Sequence, residues 1–276
     1  MQFKIVHVSD LHAGPLFDVD AAARVVEELG ALAPDLVVVS GDLVLRADFD
    51  SQWVQANDFL KALPKPQMVV AGNHDVPMYN MYRRLFSPLG IYRRRTILDL
   101  NPVVKLDGLT AVGGCSAHGL TVEGGRLSGG QRRAIDAALS AAPAGDWKLL
   151  TLHHHLIAPP GCSHRRPIAN RNWVLDMLER HKVDLYLCGH VHVSWLSDTR
   201  SIRSETAHPT IICQSGTATS TRGKAAEISK NSYNLLEFDA TSVRIARFVS
   251  PGRGAPFAQA EEKQIARAAA PHAATS

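Results

Sequence analysis

The feature that most constrains this chain is an ending that recurs. Five short apolar runs each stop at a cluster of polar groups. Phe3-Lys4-Ile5-Val6-His7-Val8 leads to Asp10-Leu11-His12, and Asp35-Leu36-Val37-Val38-Val39 leads to Ser40-Gly41-Asp42. Gln67-Met68-Val69-Val70-Ala71 leads to Gly72-Asn73-His74-Asp75. Residues 147–152 lead to His153-His154-His155, and Asp184-Leu185-Tyr186-Leu187-Cys188 leads to Gly189-His190-Val191-His192. Near-continuous apolar runs of this length read as strands covered on both faces. Helical segments between the first three strands imply right-handed crossovers, which bring the strand ends to one edge of the sheet. That edge is where open α/β sheets place their chemistry.

The segments between these runs are punctuated clearly. Val19, Ala22, Val25, Val26 and Leu29 recur at helical spacing over Asp18 to Leu29, with Gly30 as the stop signal. Asp50 is positioned to cap a helix over Ser51 to Leu63 that Pro64 and Pro66 end. Pro102 to Val112 reads as a hairpin turning at Asp107-Gly108. Gly113 to Gly130 reads as a mobile loop, and Ser128 with Gln131 has the spacing of a capping box for a helix from Gly129 to Ala141. Asn170 is the expected cap of a helix from Arg171 to Lys182. Ile211 to Gln214, Ser232 to Phe238 and Val243 to Phe248 read as closing strands. Residues 1–250 therefore form one domain, and 251–276, rich in Ala, Gly, Pro and charge, read as a floppy tail. The stretch from Tyr79 to Arg95 mixes aromatic residues with five Arg; it reads either as a cap meeting an anionic substrate or as a solvated basic helix and turn.

Composition narrows the class. With 276 residues, 45% of them hydrophobic, the chain can bury a single large core. A net charge of +4 with no long basic run gives no sign of a stable nucleic-acid partner. The four Cys are widely spaced with no CxxC pair, which reads as buried reduced thiols and fits a cytoplasmic location. No apolar run reaches the roughly 18 residues of a membrane helix, and the first strand meets Asp10 too early for a cleavable signal; peripheral membrane contact stays open.

Two carboxylates, an Asn and several His at the same kind of position look like a metal centre. Imidazole and carboxylate donors suit Mn, Fe, Co or Zn better than Mg alone. His7 lies inside its strand and reads as a core residue or one behind the ligands, and His118 as a loop residue. The set Asp10-x-His12, Gly41-Asp42, Gly72-Asn73-His74-Asp75, His153 and Gly189-His190-x-His192, in this order over Met1 to Phe248, resembles the calcineurin-like metallophosphoesterase superfamily. Any one motif is weak; the five together are specific. The resemblance implies a four-layer α/β/β/α sandwich of two mixed sheets, with a dinuclear site of divalent or trivalent transition ions at the strand ends. It implies Asp10, His12 and His192 as ligands of one ion, Asn73, His153 and His190 as ligands of the other, and Asp42 as the bridge. The three adjacent His leave a choice, because His155 stands where the family usually has Pro; His153 aligns as the ligand and His154 is the alternative.

A two-ion centre clamps the attacking and leaving oxygens of an in-line displacement and readies a bridging hydroxide. Two divalent ions less the charges of Asp10, Asp42 and that hydroxide leave a single positive charge, which a phosphodiester monoanion neutralises. The expected roles are Asn73 and His74 on the substrate, His74 steadying charge or protonating the leaving group, and Asp75 orienting His74. Gln214-Ser215-Gly216-Thr217 and Asn231-Ser232-Tyr233-Asn234 resemble the bacterial class III cyclic-nucleotide phosphodiesterase group, whose members often hydrolyse many diesters and are often dimers. The alternatives within the superfamily are a UDP-2,3-diacylglucosamine pyrophosphatase of lipid A synthesis, whose best-known branch carries Arg where His74 stands, and a nuclease. A scaffold protein without activity is the remaining class, against which every expected ligand is present.

Overall fold

The computed structural model describes residues 2–96 and 99–268. Its first half alternates strand and helix: β1 (Phe3–Val8), α1 (Val19–Leu32), β2 (Leu36–Val39), α2 (Asp50–Ala62) and β3 (Gln67–Val69). Two short helices follow, α3 (Met81–Phe86) and α4 (Gly90–Arg95). The hairpin β4 (Val103–Leu106) and β5 (Leu109–Gly113) turns at Asp107-Gly108 as expected, with Leu106 opposite Leu109 and Gly108 at φ +80°. Next come α5 (Gly129–Ser140), β6 (Trp147–Thr151), α6 (Arg171–Arg180), β7 (Leu185–Cys188), β8 (Trp195–Asp198) and β9 (Ile211–Gln214). The chain closes with β10 (Asn231–Phe238), β11 (Ser242–Ser250) and β12 (Ala258–Ala266).

These strands form two six-stranded mixed sheets, in the orders β12-β11-β10-β1-β2-β3 and β4-β5-β6-β7-β9-β8. β1, β2 and β3 are parallel, as are β5, β6, β7 and β9. Strand side chains alternate between faces, and here each face has its own core. Ile5, Leu36, Val38 and Met68 meet Leu149, Leu185, Leu187 and Cys213 between the sheets. Their strand neighbours Val6, Val37 and Val39 point the other way, onto Val25 and Leu29 of α1 and Trp53 and Phe59 of α2. On the far side Leu150, Tyr186 and Ile212 pack against Ile135 and Leu139 of α5 and Val174 and Leu178 of α6. The result is the α/β/β/α arrangement. It explains why β2 and β7 carry no charged residue, the one polar hydroxyl, that of Tyr186, donating to the His154 carbonyl at 2.6 Å: both faces of each are buried.

Local signals were kept or overridden for identifiable reasons. Ser128 and Gln131 form the expected reciprocal cap of α5, Ser128 N donating to Gln131 Oε1 at 2.7 Å and Gln131 N to Ser128 Oγ at 3.3 Å. Asp18 Oδ1 accepts from Ala21 N at 2.9 Å and starts α1. Gly30 does not stop that helix. α1 runs on to Leu32 and ends at Ala33 in left-handed conformation, because Leu29 is fully buried and Leu32 packs on the same core; this outweighs a helical glycine's cost of about 1 kcal/mol. Asn170 precedes α6 without capping it. Its amide instead bridges both backbone groups of Leu127, at 3.1 Å each. The four Cys are free and buried, as expected.

The expected floppy tail is corrected over part of its length. β12 pairs with β11 along its whole run, and Glu261 and Glu262 meet Arg247 and Arg244 across the strands. Residues 269–276 lie outside the described residues. Among the described residues no helix is long and apolar enough to cross a membrane.

Candidate metal centre

The strand-end loops are unusual backbone. Asp10, His12, Asp42, His190 and His192 all have positive φ, between 49° and 76°. Non-glycine residues rarely hold this conformation, and such strain collects at functional sites. Asp10 and His12 both stand in left-handed turns after β1, and their side chains reach the same spot. Contacts from the segment after β9 hold the loop in that shape. Thr217 Oγ1 donates to Asp10 O at 2.7 Å, Thr219 Oγ1 to Leu11 O at 3.0 Å, and Ala218 N to Ser9 O at 3.0 Å. Gly72 is needed for closeness: a Cβ there would sit 2.1 Å from Asp42 Oδ1.

Two groups of donors result. Asp10, His12, Asp42 and His192 are all buried, and their ligand atoms lie within 4.8 Å of one another. His192 Nε2 is 3.1 Å from Asp10 Oδ1, and His12 Nε2 is 3.7 Å from it. His12 Nε2 and His192 Nε2 approach to 3.0 Å. The second group centres on Asn73 Oδ1, which lies 3.2 Å from His153 Nε2 and 3.0 Å from His190 Nδ1. Asp42 Oδ2 joins the groups, 3.8 Å from His12 Nε2 and 3.4 Å from His153 Nε2. All seven expected ligand positions thus converge on two adjacent points that share one carboxylate.

The surroundings orient these donors. His153 Nδ1 donates to Ser40 O at 2.7 Å and His192 Nδ1 to Arg222 O at 2.8 Å, which turns each Nε2 towards the centre. Asp10 Oδ2 accepts from His190 N at 3.0 Å and Asp42 Oδ1 from His74 N at 2.8 Å. Asp10 Oδ1 is buried with no hydrogen-bond partner. Burial would raise the Asp10 and Asp42 carboxyls, but the His rings around them more than offset this and hold both well below the usual range. Burial pushes His12 down to about 3. Ionised carboxylates and neutral imidazoles are the forms that bind cations. His153 goes the other way: burial lowers it, yet the charge of Asp42 against its ring raises it to about 9. An orphaned buried carboxylate oxygen and converging imidazole lone pairs fit a pair of first-row transition cations.

The structure also separates the three adjacent His. His153 faces Asp42 and Asn73, whereas His154 Nδ1 turns to Ser116 Oγ at 2.7 Å and His155 stacks on His190 with ring centres 5.6 Å apart. His7 bonds Ser40 Oγ at 2.8 Å behind the centre, and His118 Nδ1 accepts from Leu120 N at 3.2 Å. One expected role is corrected. Asp75 does not touch the His74 ring; its two oxygens accept from Gly72 N at 2.8 Å and Val44 N at 3.1 Å and so tie the β3 loop to the β2 loop. His74 Nδ1 donates to the Leu45 carbonyl at 2.8 Å instead.

Two residues escaped the sequence reading. Arg46 Nη1 lies 3.0 Å from His74 Nδ1, and Arg222 Nη1 lies 3.1 Å from His74 Nε2 and 3.3 Å from His12 Nδ1. With Asn73, His74, Val122 and Glu123 they line a cleft of about 140 Å³. The strand-end rule would have found both, since they follow β2 and β9. Of the five Arg between Tyr79 and Arg95, Arg84 alone lines this cleft; its guanidinium donates to the Pro77 and Thr121 carbonyls. The other four are exposed, so most of that stretch is a solvated basic helix and turn.

The geometry agrees with comparisons to known proteins. A family model described as "Calcineurin-like phosphoesterase" matches residues 3–194. A Synechococcus sp. protein named a probable cyclic nucleotide phosphodiesterase is 28% identical over 212 residues, 71% of this chain and 76% of that one. Among solved structures, a purple acid phosphatase from yellow lupin (Lupinus luteus) seeds superposes with a TM-score of 0.71 at 15% identity over 97% of this chain. The chain spans only 54% of the lupin enzyme's length. A dimetal phosphatase from Danio rerio superposes with a TM-score of 0.66 at 13% identity, covering 96% of this chain and 98% of that one. With a family match over most of its length and the two donor groups in place, the chain belongs to the calcineurin-like phosphoesterases.

Proposed function

We propose that the chain is a metal-dependent phosphodiesterase acting on small diesters, 3′,5′-cyclic nucleotides among them. The observation that carries this reading is the sharing of Asp42 between two donor groups, which fits two cations side by side. Asp10, His12 and His192 would hold one cation, Asn73, His153 and His190 the other, with Asp42 between them. When bound, such a pair polarises phosphoryl oxygens and lowers the pKa of a water to near neutrality. The chain's own part is positional. Asp10 and Asp42 supply the fixed negative charge, and the Ser40 and Arg222 carbonyls keep His153 and His192 in the ligating tautomer. Hydrolysis adds water across a phosphorus–oxygen bond: phosphorus gains the hydroxyl and the leaving oxygen gains the proton. His74, neutral and protonated on Nδ1, faces the cleft through Nε2 and steadies charge there by way of Arg222. This replaces the expected Asp75–His74 pair.

The diester preference draws support from the name of the Synechococcus relative. A nucleotide–lipid diphosphate is the second reading, favoured by the exposed Tyr79, Tyr82, Leu85 and Phe86 around α3. The test is turnover of bis(p-nitrophenyl) phosphate and cAMP by manganese-loaded protein, beside a His74→Ala variant. The reading predicts turnover by the wild type and a loss of roughly 10²-fold or more in the variant with metal content unchanged. Absence of turnover in the loaded wild type would end it.

A further inference from the structure

The short helix α3 is built inside out. Helical spacing puts Met81, Tyr82, Leu85 and Phe86 on one side and turns Arg84 away from them. A helix in solution normally keeps such an apolar side against the core. Here all four apolar residues are exposed, Tyr82 at 74% and Phe86 at 73%, while Arg84 is only 5% exposed. The reversal is held in place. Arg84 donates to the Pro77 and Thr121 carbonyls, and Asn80 Oδ1 accepts from Arg83 N at 2.9 Å. Just before the helix, the Asp48 carboxylate accepts from Met78 N at 2.7 Å, Tyr79 N at 3.2 Å and Asn80 N at 3.0 Å. The apolar surface continues past the helix. Tyr79 is exposed and meets the exposed Phe49 ring edge-on at 5.9 Å between centres. The loop that Arg84 grips exposes Leu120 and Val122. Large apolar side chains gathered in this way mark an interaction surface.

The charge around the patch selects its partner. Arg83, Arg93 and Arg94 are exposed, and among the described residues none has a carboxylate oxygen within 4.0 Å. Arg94 Nη1 reaches over Gly90, at the turn that joins α3 to α4. Nearby carboxylates are turned to other groups: Asp48 to the three backbone N–H groups, Asp50 to Arg95 at 2.6 Å, Glu123 to Arg165 at 2.7 Å and Asp99 to Asn101 N at 2.8 Å. A second copy related by a two-fold axis through this face would set these Arg against the same Arg, which repel. An anionic lipid surface suits both features. Tyr and Phe rings settle at the level of the headgroups, an apolar helix face enters about 5–10 Å, and Arg extends its stem to reach phosphate.

We infer that the outer face of α3, with Tyr79, Leu120 and Val122 and the flanking Arg83, Arg93 and Arg94, docks this chain onto an anionic lipid surface. Met78 and Val122 also line the cleft that holds His74, so docking sets the mouth of the cleft beside the headgroups. Such docking is independent of which phosphoester the centre cleaves.

Co-sedimentation of the full chain with vesicles tests it without any turnover. The vesicles are phosphatidylcholine alone, and phosphatidylcholine with about one third phosphatidylglycerol. Docking predicts binding to the anionic vesicles at least about 10-fold tighter than to the neutral ones, and most of that difference lost between about 0.1 M and about 1 M salt. Arg83→Gln, Arg93→Gln and Arg94→Gln should each weaken it about fivefold. The double variant Tyr82→Ser, Phe86→Ser should weaken it by about 10-fold or more. These side chains are exposed, and an unchanged thermal melt will show that each variant folds. Equal affinity for both vesicle types, no binding to either, or binding that none of the five substitutions alters would overturn the proposal. So would a dimer in solution that Tyr82→Ser, Phe86→Ser dissociates while wild-type chain ignores the vesicles, which would assign the face to a second copy.

Discussion

At the scale of single residues, the site is a set of compromises held by neighbours. The left-handed turns at Asp10, His12, Asp42, His190 and His192 each cost of order 1–3 kcal/mol where they occur off glycine. They persist because Thr217, Thr219 and the backbone of the adjacent loops fix them. His153 carries the clearest consequence. Burial opposes a proton on its ring, but the Asp42 carboxylate 3.4 Å away keeps one there, up to about pH 9. A cation taking Nε2 must displace that proton. Since protons compete below the raised pKa, cation affinity on the His153 side should rise with pH from 6 to 9, by up to about tenfold per unit for one proton released. Titration calorimetry in two buffers of different ionisation enthalpy should show close to one proton released at pH 7. Affinity flat across that range would show that His153 is neutral before the cation arrives. Most of the residues that converge at the centre were legible in the sequence because donor type and strand-end position coincide. Partnerships were not. Nothing in Gly72-Asn73-His74-Asp75 says that Asp75 turns back to Gly72 and Val44 while the Leu45 carbonyl accepts from His74 Nδ1.

At the scale of elements, legibility followed burial. β2 and β7 are buried on both faces and read plainly as apolar runs. β12 is exposed along nearly its whole length, with Ile265 the part that packs inward, so it carries charge where an inner strand would carry Val or Ile. Charge on an edge strand guards the open edge against pairing with other chains, and it also makes the strand resemble a tail. β8, four half-buried residues at the other sheet's edge, was missed for the same reason. Gly30 misled because a local stop signal yielded to packing of Leu29 and Leu32. The core between the sheets should be the most demanding place. Leu187 is fully buried there, and Leu187→Ala should cost about 2–5 kcal/mol in urea unfolding. A cost below about 1 kcal/mol would mean that the two sheets are not closely packed at that point.

At the scale of the whole molecule, the two sheets meet so that the ends of β1, β2, β3, β6 and β7 open at one place. Each donor group draws side chains from both sheets: Asp10 and His12 from one with His192 from the other, and Asn73 from one with His153 and His190 from the other. Cations bound there tie the sheets together and so couple occupancy to stability. At a free concentration one hundred times the dissociation constant, each site adds about 2.7 kcal/mol. Chelation should lower the melting temperature, and manganese should restore it; a melting temperature unmoved by chelator would mean that the sheets do not depend on the centre. The most direct test of the central claim is an anomalous-difference map from crystals grown with manganese. The account predicts two peaks, one among Asp10, His12, Asp42 and His192 and the other among Asp42, Asn73, His153 and His190. A single peak, or peaks away from Asp42, would contradict it.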